Sequence, residues 1–369
     1  MAKQKEKKQT PVSRLMEYAG SFQYLAVASW VLAAVSAFVA LVPFYFIWRL
    51  IKEVLRVAPD YGAAQNLSTY GWSAVGFAIL SMLIYIGALI CSHLAAFRVQ
   101  ANMRSRLMRH ILSLPIGFMD SGLGGISVLK AAVQIMPNED FIYFGDSKNA
   151  PYGVKDREKI RELTFHVVEN LMKRGIKGLA VACNTATSAA VKDLRLMYPD
   201  LPLVGIEPAI KPAVSQYKGG EILVLATPMT IRQEKFHNLL GLYKEQAHII
   251  PVPCAGLMEF VEEGHLDGEF LDAYFSKYLL PYITDKTETI VLGCTHYPFL
   301  RPHLREFLGN RRIEIIDGSM GTAKELKRRL GEKNLLHAEK REQKIIFENS
   351  MEKQEMIDLS WQLLRLPID

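Results

Sequence analysis

Two stretches without a charged side chain constrain this chain more than anything else in it. Residues 18–48 and 61–97 contain no Asp, Glu, Lys or Arg. Each holds an apolar core, 24–47 and 72–97, at least as long as the roughly 20 residues a helix needs to cross a bilayer. The expected arrangement is an α-helical membrane hairpin of two transmembrane helices over residues 1–114. A cleavable leader is the alternative for the first run, but no small-x-small cleavage site precedes polar sequence. A helical hairpin buried in a soluble core is the alternative for both.

The cations beside these runs set an orientation. Lys3, Lys5, Lys7, Lys8 and Arg14 precede the first, and Arg98, Arg104, Arg106 and Arg109 follow the second, whereas Arg49, Lys52 and Arg56 lie between them. The positive-inside rule then places both termini in the cytoplasm, with the chain in the cell's inner membrane. The same cations account for the net charge of +6. They are not interleaved with stacking aromatics, which argues against a nucleic-acid partner.

Residues 98–114 continue in a helical pattern, with Met103, Leu107, Ile111 and Leu114 on one face. The layout of residues 1–118, ending in Leu114-Pro115-Ile116-Gly117-Phe118, resembles the start of a bacterial ABC exporter's transmembrane domain. The chain has no Gly-x-x-x-x-Gly-Lys-Ser/Thr phosphate loop, so ATP hydrolysis and transport are not expected of it.

From Pro115 the pattern changes to apolar strands alternating with amphipathic helices, the mark of a parallel α/β fold over residues 115–369. Strands are expected at 115–119, 141–144, 178–182, 203–206, 221–226, 248–252, 289–292 and 313–316, with helices at 157–173, 230–243 and 269–282 among others. Two of these strands run into matched phrases, Ala182-Cys183-Asn184-Thr185-Ala186-Thr187 and Gly293-Cys294-Thr295-His296-Tyr297-Pro298. Open α/β sheets bind ligands at such strand ends. Two thiols with hydroxyl and amide neighbours suggest one site with two opposed reactive groups.

The chain has four cysteines, Cys91, Cys183, Cys254 and Cys294, and in a cytoplasmic domain they stay reduced. Buried packing is the plain alternative for any one of them, and the better reading for Cys254. A zinc site from Cys183, Cys294 and His296 lacks a usual spacing. A cysteine hydrolase with His296 as base is a stronger rival, although it leaves one cysteine unexplained.

Two loops complete the candidate site. Asp120-Ser121-Gly122-Leu123-Gly124-Gly125 offers a carboxylate, a hydroxyl and backbone N–H groups at a helix start, suited to the charged ends of an amino acid. A dinucleotide turn would need a glycine where Ser127 stands. The second loop, from Tyr143 to Gly153, ends in Ala150-Pro151-Tyr152-Gly153.

Asp-Ser-Gly-Leu-Gly-Gly, Ala-Pro-Tyr-Gly, Ala-Cys-Asn-Thr-Ala-Thr and Gly-Cys-Thr-His-Tyr-Pro, in this order, resemble the bacterial glutamate racemases of the cofactor-independent aspartate/glutamate racemase superfamily. The resemblance implies a two-lobed, mostly parallel-sheet racemase fold with the site between the lobes, and interconversion of L- and D-glutamate for peptidoglycan synthesis. It implies Cys183 and Cys294 as alternating acid and base, with Cys183 acting on D-glutamate and Cys294 on L-glutamate. Asp120, Glu263 and His296 would orient and tune the thiols, with Glu262 the alternative to Glu263. Ser121, Tyr152, Gly153, Asn184, Thr185 and Thr295 would join Asp120 and His296 in binding substrate. Neither pyridoxal phosphate nor a metal is implied, and a homodimer is one expectation. Racemisation of aspartate or another small acid, and an inactive membrane subunit, are the competing readings. Such racemases begin near their Asp-Ser motif, so the exporter-like segment is a departure from the family pattern.

Overall fold

The computed structural model describes residues 16–367. Lys3, Lys5, Lys7, Lys8 and Arg14, which carried the orientation argument, lie outside the described residues. The chain separates into two compact units between His110 and Ile111.

The first unit is helical. Its first apolar run forms two helices, Gln23–Val39 and Val42–Val57, interrupted at Ala40 and Leu41. The span expected over 24–47 is therefore kinked at Ala40 and Leu41, both of which keep helical dihedrals, within a long apolar helical stretch. Pro43 in the opening turn of the second helix gives the reason, because it has no N–H to donate to the carbonyl of Val39 and its ring crowds that carbonyl. The second run extends to a continuous helix, Leu67–Ser113, of 47 residues, about 70 Å long. Ser36 Oγ donates to the Ser81 carbonyl at 2.9 Å, tying the two apolar runs together where both are hydrophobic. Met16–Val57 and Leu67–Ser113 are long and apolar enough to cross a bilayer, and only 11% of the most apolar window of each is buried. Core helices of a soluble domain pass the same length test while mostly buried.

The second unit carries two sheets in which every strand pair is parallel. In chain order the strands are β1 (Ile116–Asp120), β2 (Phe141–Gly145), β3 (Gly178–Val181), β4 (Leu203–Gly205), β5 (Glu221–Ala226), β6 (His248–Pro253), β7 (Thr287–Leu292), β8 (Glu314–Asp317) and β9 (Ile345–Asn349). The first sheet has the order β4-β3-β1-β2-β9 and the second β6-β5-β7-β8. The central strands are buried on both faces, as parallel sheets covered by helices require. This is the expected α/β racemase architecture of two lobes preceded by long apolar helices.

Differences in detail follow local chemistry. The stretch 230–243 is two helices, Pro228–Arg232 and Glu234–Gly241, separated by an extended Gln233. The stretch 269–282 stops being α-helical at Tyr278, and a 3-10 turn, Leu280–Tyr282, follows at Pro281. Strand β9 joins the first sheet by pairing with β2, from Phe141 with Ile345 to Gly145 with Asn349. It is a short run flanked and interrupted by charge, at Lys344 and Glu348, and has no clean apolar signature.

Candidate active site

The C-terminal ends of β1, β2 and β3 in one lobe face loops from the other, and the two cysteine phrases meet there. Asn184 Nδ2 donates to the Gly293 carbonyl at 3.0 Å. Ser127 Oγ donates to the Thr295 carbonyl at 3.0 Å. The backbone N–H of Leu123 donates to Glu262 Oε1 at 2.6 Å. Each of these bonds crosses from the first lobe to the second.

Cys183 follows β3 and caps the helix Asn184–Met197, its sulfur accepting from Ala186 N–H at 3.5 Å. The Ser121 hydroxyl lies 3.5 Å from the same sulfur. Burial pushes the Cys183 thiol up to about 12, with the Asp120 carboxylate and Cys294 adding to it and the Ser121 and Ala186 contacts opposing it. At neutral pH Cys183 therefore holds its proton.

Asp120, the last residue of β1, is fully buried. Its Oδ2 accepts from Gly122 N–H at 3.2 Å, while Oδ1 has no hydrogen-bond partner among the described residues. Burial pushes this carboxyl up, partly offset by the charge of His296 and the Gly125 N–H. A buried carboxylate oxygen without a partner, next to a thiol, can accept from a cationic donor brought to it.

Cys294 follows β7 and is half-buried. Its sulfur lies 3.6 Å from His296 Nδ1, and His296 Nε2 lies 2.7 Å from Glu262 Oε1. Burial pulls the His296 pKa down, but Cys294 and Glu262 outweigh it and hold the imidazole well above the usual histidine range. Glu262 mirrors this: burial pushes it up, and His296, Leu123 N–H and Ser147 bring it below the usual carboxylate range. His296 thus stands between the Glu262 carboxylate and the Cys294 sulfur, within reach of both. The Gly124 N–H approaches Nε2 to 3.1 Å. A Cβ at Gly124 would collide with the imidazole and one at Gly122 with the Glu262 carboxylate, so both positions need glycine.

The carboxylate assigned to Glu263 is supplied by Glu262. Glu263 lies one residue past the helix Leu257–Glu262, its side chain is 66% exposed, and it pairs with the exposed His265 at 3.3 Å. Tyr152 is buried and donates to Asp146 Oδ2 at 2.7 Å, so its hydroxyl is taken up by the first lobe. Gly153 faces Thr227, whose Oγ1 would be 3.4 Å from an added Cβ. Ser121, Thr185 and Thr295 are buried with the cysteines, and Asn184 Oδ1, like Asp120 Oδ1, is buried without a partner among the described residues. Cys254 is buried, its sulfur 3.6 Å from the Val252 carbonyl, as packing would have it. Ser147 is the site neighbour the residue pattern did not single out, and Glu262 the one it gave only as an alternative.

Comparison with known proteins gives the same picture. Residues 116–326 match the Asp/Glu/Hydantoin racemase family. A glutamate racemase of Clostridium botulinum is 52% identical over 252 residues, covering 68% of this chain and 97% of that protein. One from Clostridium perfringens is 49% identical over 252 residues, covering 68% and 96%. Among solved structures, glutamate racemase from Francisella tularensis in complex with D-glutamate superposes with a TM-score of 0.60 at 28% identity, covering 69% of this chain and 95% of that one. A Bacillus anthracis glutamate racemase isoform gives 0.62 at 30%, covering 69% and 96%. With its paired strand-end cysteines, its parallel two-lobed fold and these relatives, the chain belongs to the Asp/Glu/Hydantoin racemase family and is an amino-acid racemase.

Proposed function

We propose that this racemase interconverts L- and D-glutamate by a two-base mechanism in which Cys183 and Cys294 work on opposite faces of Cα. The observation that carries it is the unequal preparation of the two thiols. Cys183 is buried beside Asp120 and keeps its proton, while Cys294 stands 3.6 Å from the His296 imidazole, which Glu262 holds on its other side. In the L-to-D direction the Cys294 thiolate takes the α-proton, and the C–H electron pair stays on Cα. Cys183 then gives its proton to the other face, leaving Cys183 as thiolate and Cys294 as thiol. The D-to-L direction is the reverse of these steps.

The α-proton of an amino acid is a weak acid, so the charge left on Cα must be met by fixed dipoles and charges in a site closed to water. Asp120 Oδ1 receives the ammonium. Ser121, Asn184, Thr185, Thr295 and the Tyr152-Gly153 backbone take the carboxylates. The product is D-glutamate for peptidoglycan. The relatives that support the substrate are the glutamate racemases at 52% and 49% identity.

The N-terminal helices, by the same proposal, hold the enzyme in the inner membrane with the catalytic unit in the cytoplasm. Support comes from their length, their apolar composition and the large exposed side chains along them, among them Trp30, Phe38, Trp72 and Leu83.

The test uses the full chain. Cell fractionation should find it in the membrane pellet, and release by high salt alone would sink the anchoring. The isolated protein should convert either glutamate enantiomer to the racemate by polarimetry or circular dichroism, with deuterium entering Cα from D2O. Conversion of aspartate in preference to glutamate, or no exchange from a reduced, folded protein, would overturn the substrate or the activity respectively.

A further inference from the structure

The loop after β2 holds a hydroxyl that the proton steps above leave without a role. Ser147 opens the 3-10 turn Ser147–Asn149, and its Oγ lies 3.4 Å from Glu262 Oε2. On its other side Asn349 Nδ2 lies 2.9 Å away. Asn349 is the last residue of β9 and is buried. Its Oδ1 accepts from the Met351 backbone N–H at 3.0 Å.

The direction of each proton in this row is determined. A backbone N–H can only donate, so the Met351 bond fixes which end of the Asn349 amide carries oxygen. The NH2 end then faces Ser147 and can only donate to it. With a lone pair so occupied, the Ser147 hydroxyl has its proton free for Glu262 Oε2. On the other oxygen, Oε1, Glu262 meets both Leu123 N–H and His296. The last torsion of a glutamate is broad and roughly two-fold, so a carboxylate held at one oxygen only can swing.

We propose that Ser147 and Asn349 are positioning residues for the Cys294 half-reaction: Asn349 aims the Ser147 hydroxyl at Glu262, and the carboxylate so fixed holds His296 against the Cys294 sulfur. The row runs from the C-terminal strand of the first sheet, through the second lobe's Glu262, to one of the two thiols. Asn349 stands outside residues 116–326, the part that matches the family, so the C-terminal segment reaches the chemistry through this row. Among the described residues no corresponding row leads to Cys183, whose sulfur meets Ser121 and Ala186.

The inference rests on the racemase reading above, and its test separates the two. In the full-length protein, Ser147→Ala removes the hydroxyl. Asn349→Asp keeps the shape and the Met351 bond but gives Ser147 an acceptor in place of a donor, turning its proton away from Glu262. Each should lower kcat/KM about tenfold, the worth of a weak hydrogen bond to a charged group, and Ser147→Thr should recover most of what Ser147→Ala loses. Slower proton transfer at Cys294 makes cleavage of the substrate's own Cα–H bond more rate-limiting from L-glutamate, where Cys294 takes that proton, and less so from D-glutamate, where Cys183 takes it. The substrate isotope effect should therefore rise with α-deuterated L-glutamate and fall with α-deuterated D-glutamate, a ratio independent of how much of the sample is folded. Unchanged kcat/KM in both variants, or isotope effects that move equally in the two directions, would overturn the positioning roles while the parent still racemises. A parent that does not racemise glutamate removes the racemase reading and this inference with it.

Discussion

Cys183 and Cys294 occupy like positions in unlike surroundings. Both follow a buried parallel strand, and both are followed within two residues by threonine. The first is sealed at 6% exposure, caps a 14-residue helix and has a buried carboxylate at its side. The second is half-buried, leads into the 3-10 turn Tyr297–Leu300, and faces an imidazole backed by a carboxylate. On the proposed mechanism the difference is a division of labour: Cys183, beside a buried carboxylate, keeps its proton, whereas Cys294 stands within reach of an imidazole that a second carboxylate holds in place.

The comparison breaks most completely if either thiol is removed. Cys183→Ala and Cys294→Ala should each lower racemisation by at least about a hundredfold, since each leaves one face of Cα without a proton-transfer group. Normal turnover in either variant, measured by circular dichroism, would mean that the two sites are not a pair. The effect should be smaller for the groups behind Cys294. Glu262→Gln should reduce kcat/KM about tenfold to a hundredfold by releasing the imidazolium from its charged partner, whereas Glu263→Gln should leave it unchanged. A larger loss from Glu263→Gln than from Glu262→Gln would reverse the placement of the two residues.

The smallest effect is on stability, and it sharpens the electrostatic half of the comparison. His296 is raised in the fold, so its contribution is complete below its ordinary value of 6.5 and fades as pH rises through the folded value. Glu262 is lowered, so its contribution is complete above its ordinary value of 4.5 and fades as pH falls through the folded value. The window between 4.5 and 6.5 carries both in full. The melting temperature of the parent should exceed that of Glu262→Gln most within that window and by less on either side. A difference that is flat with pH would show that the pair contributes packing and no charge coupling.

Much of this site was legible in the residues because strand ends announce themselves. An apolar β-type run that stops at Cys-Asn-Thr or Cys-Thr-His places a thiol at the mouth of a parallel sheet, and both placements hold in the fold. Which of two adjacent glutamates turns inward was not legible from the pair alone. The signal lay in helical phase: Glu262 follows the buried Met258 by four residues, on the same helix face, while Glu263 falls past the last helical residue ahead of the left-handed Gly264. Pro43 likewise carried the kink in the first apolar run, overridden there by hydropathy. Strand β9 had no local signal, since its pairing with β2 is a long-range choice made by the sheet edge. The row from Asn349 to Glu262 was hidden for the same reason.

The unpartnered Oδ1 of Asp120 has a thermodynamic side. A buried acceptor without a donor costs about 1–3 kcal/mol of folding stability, and Asn184 Oδ1 adds a second such atom nearby. A group that donates to them on binding removes that cost. In the proposed binding mode the substrate ammonium is the donor for Asp120 Oδ1. On that proposal occupancy and folding are linked quantities, and the melting temperature should rise with added glutamate.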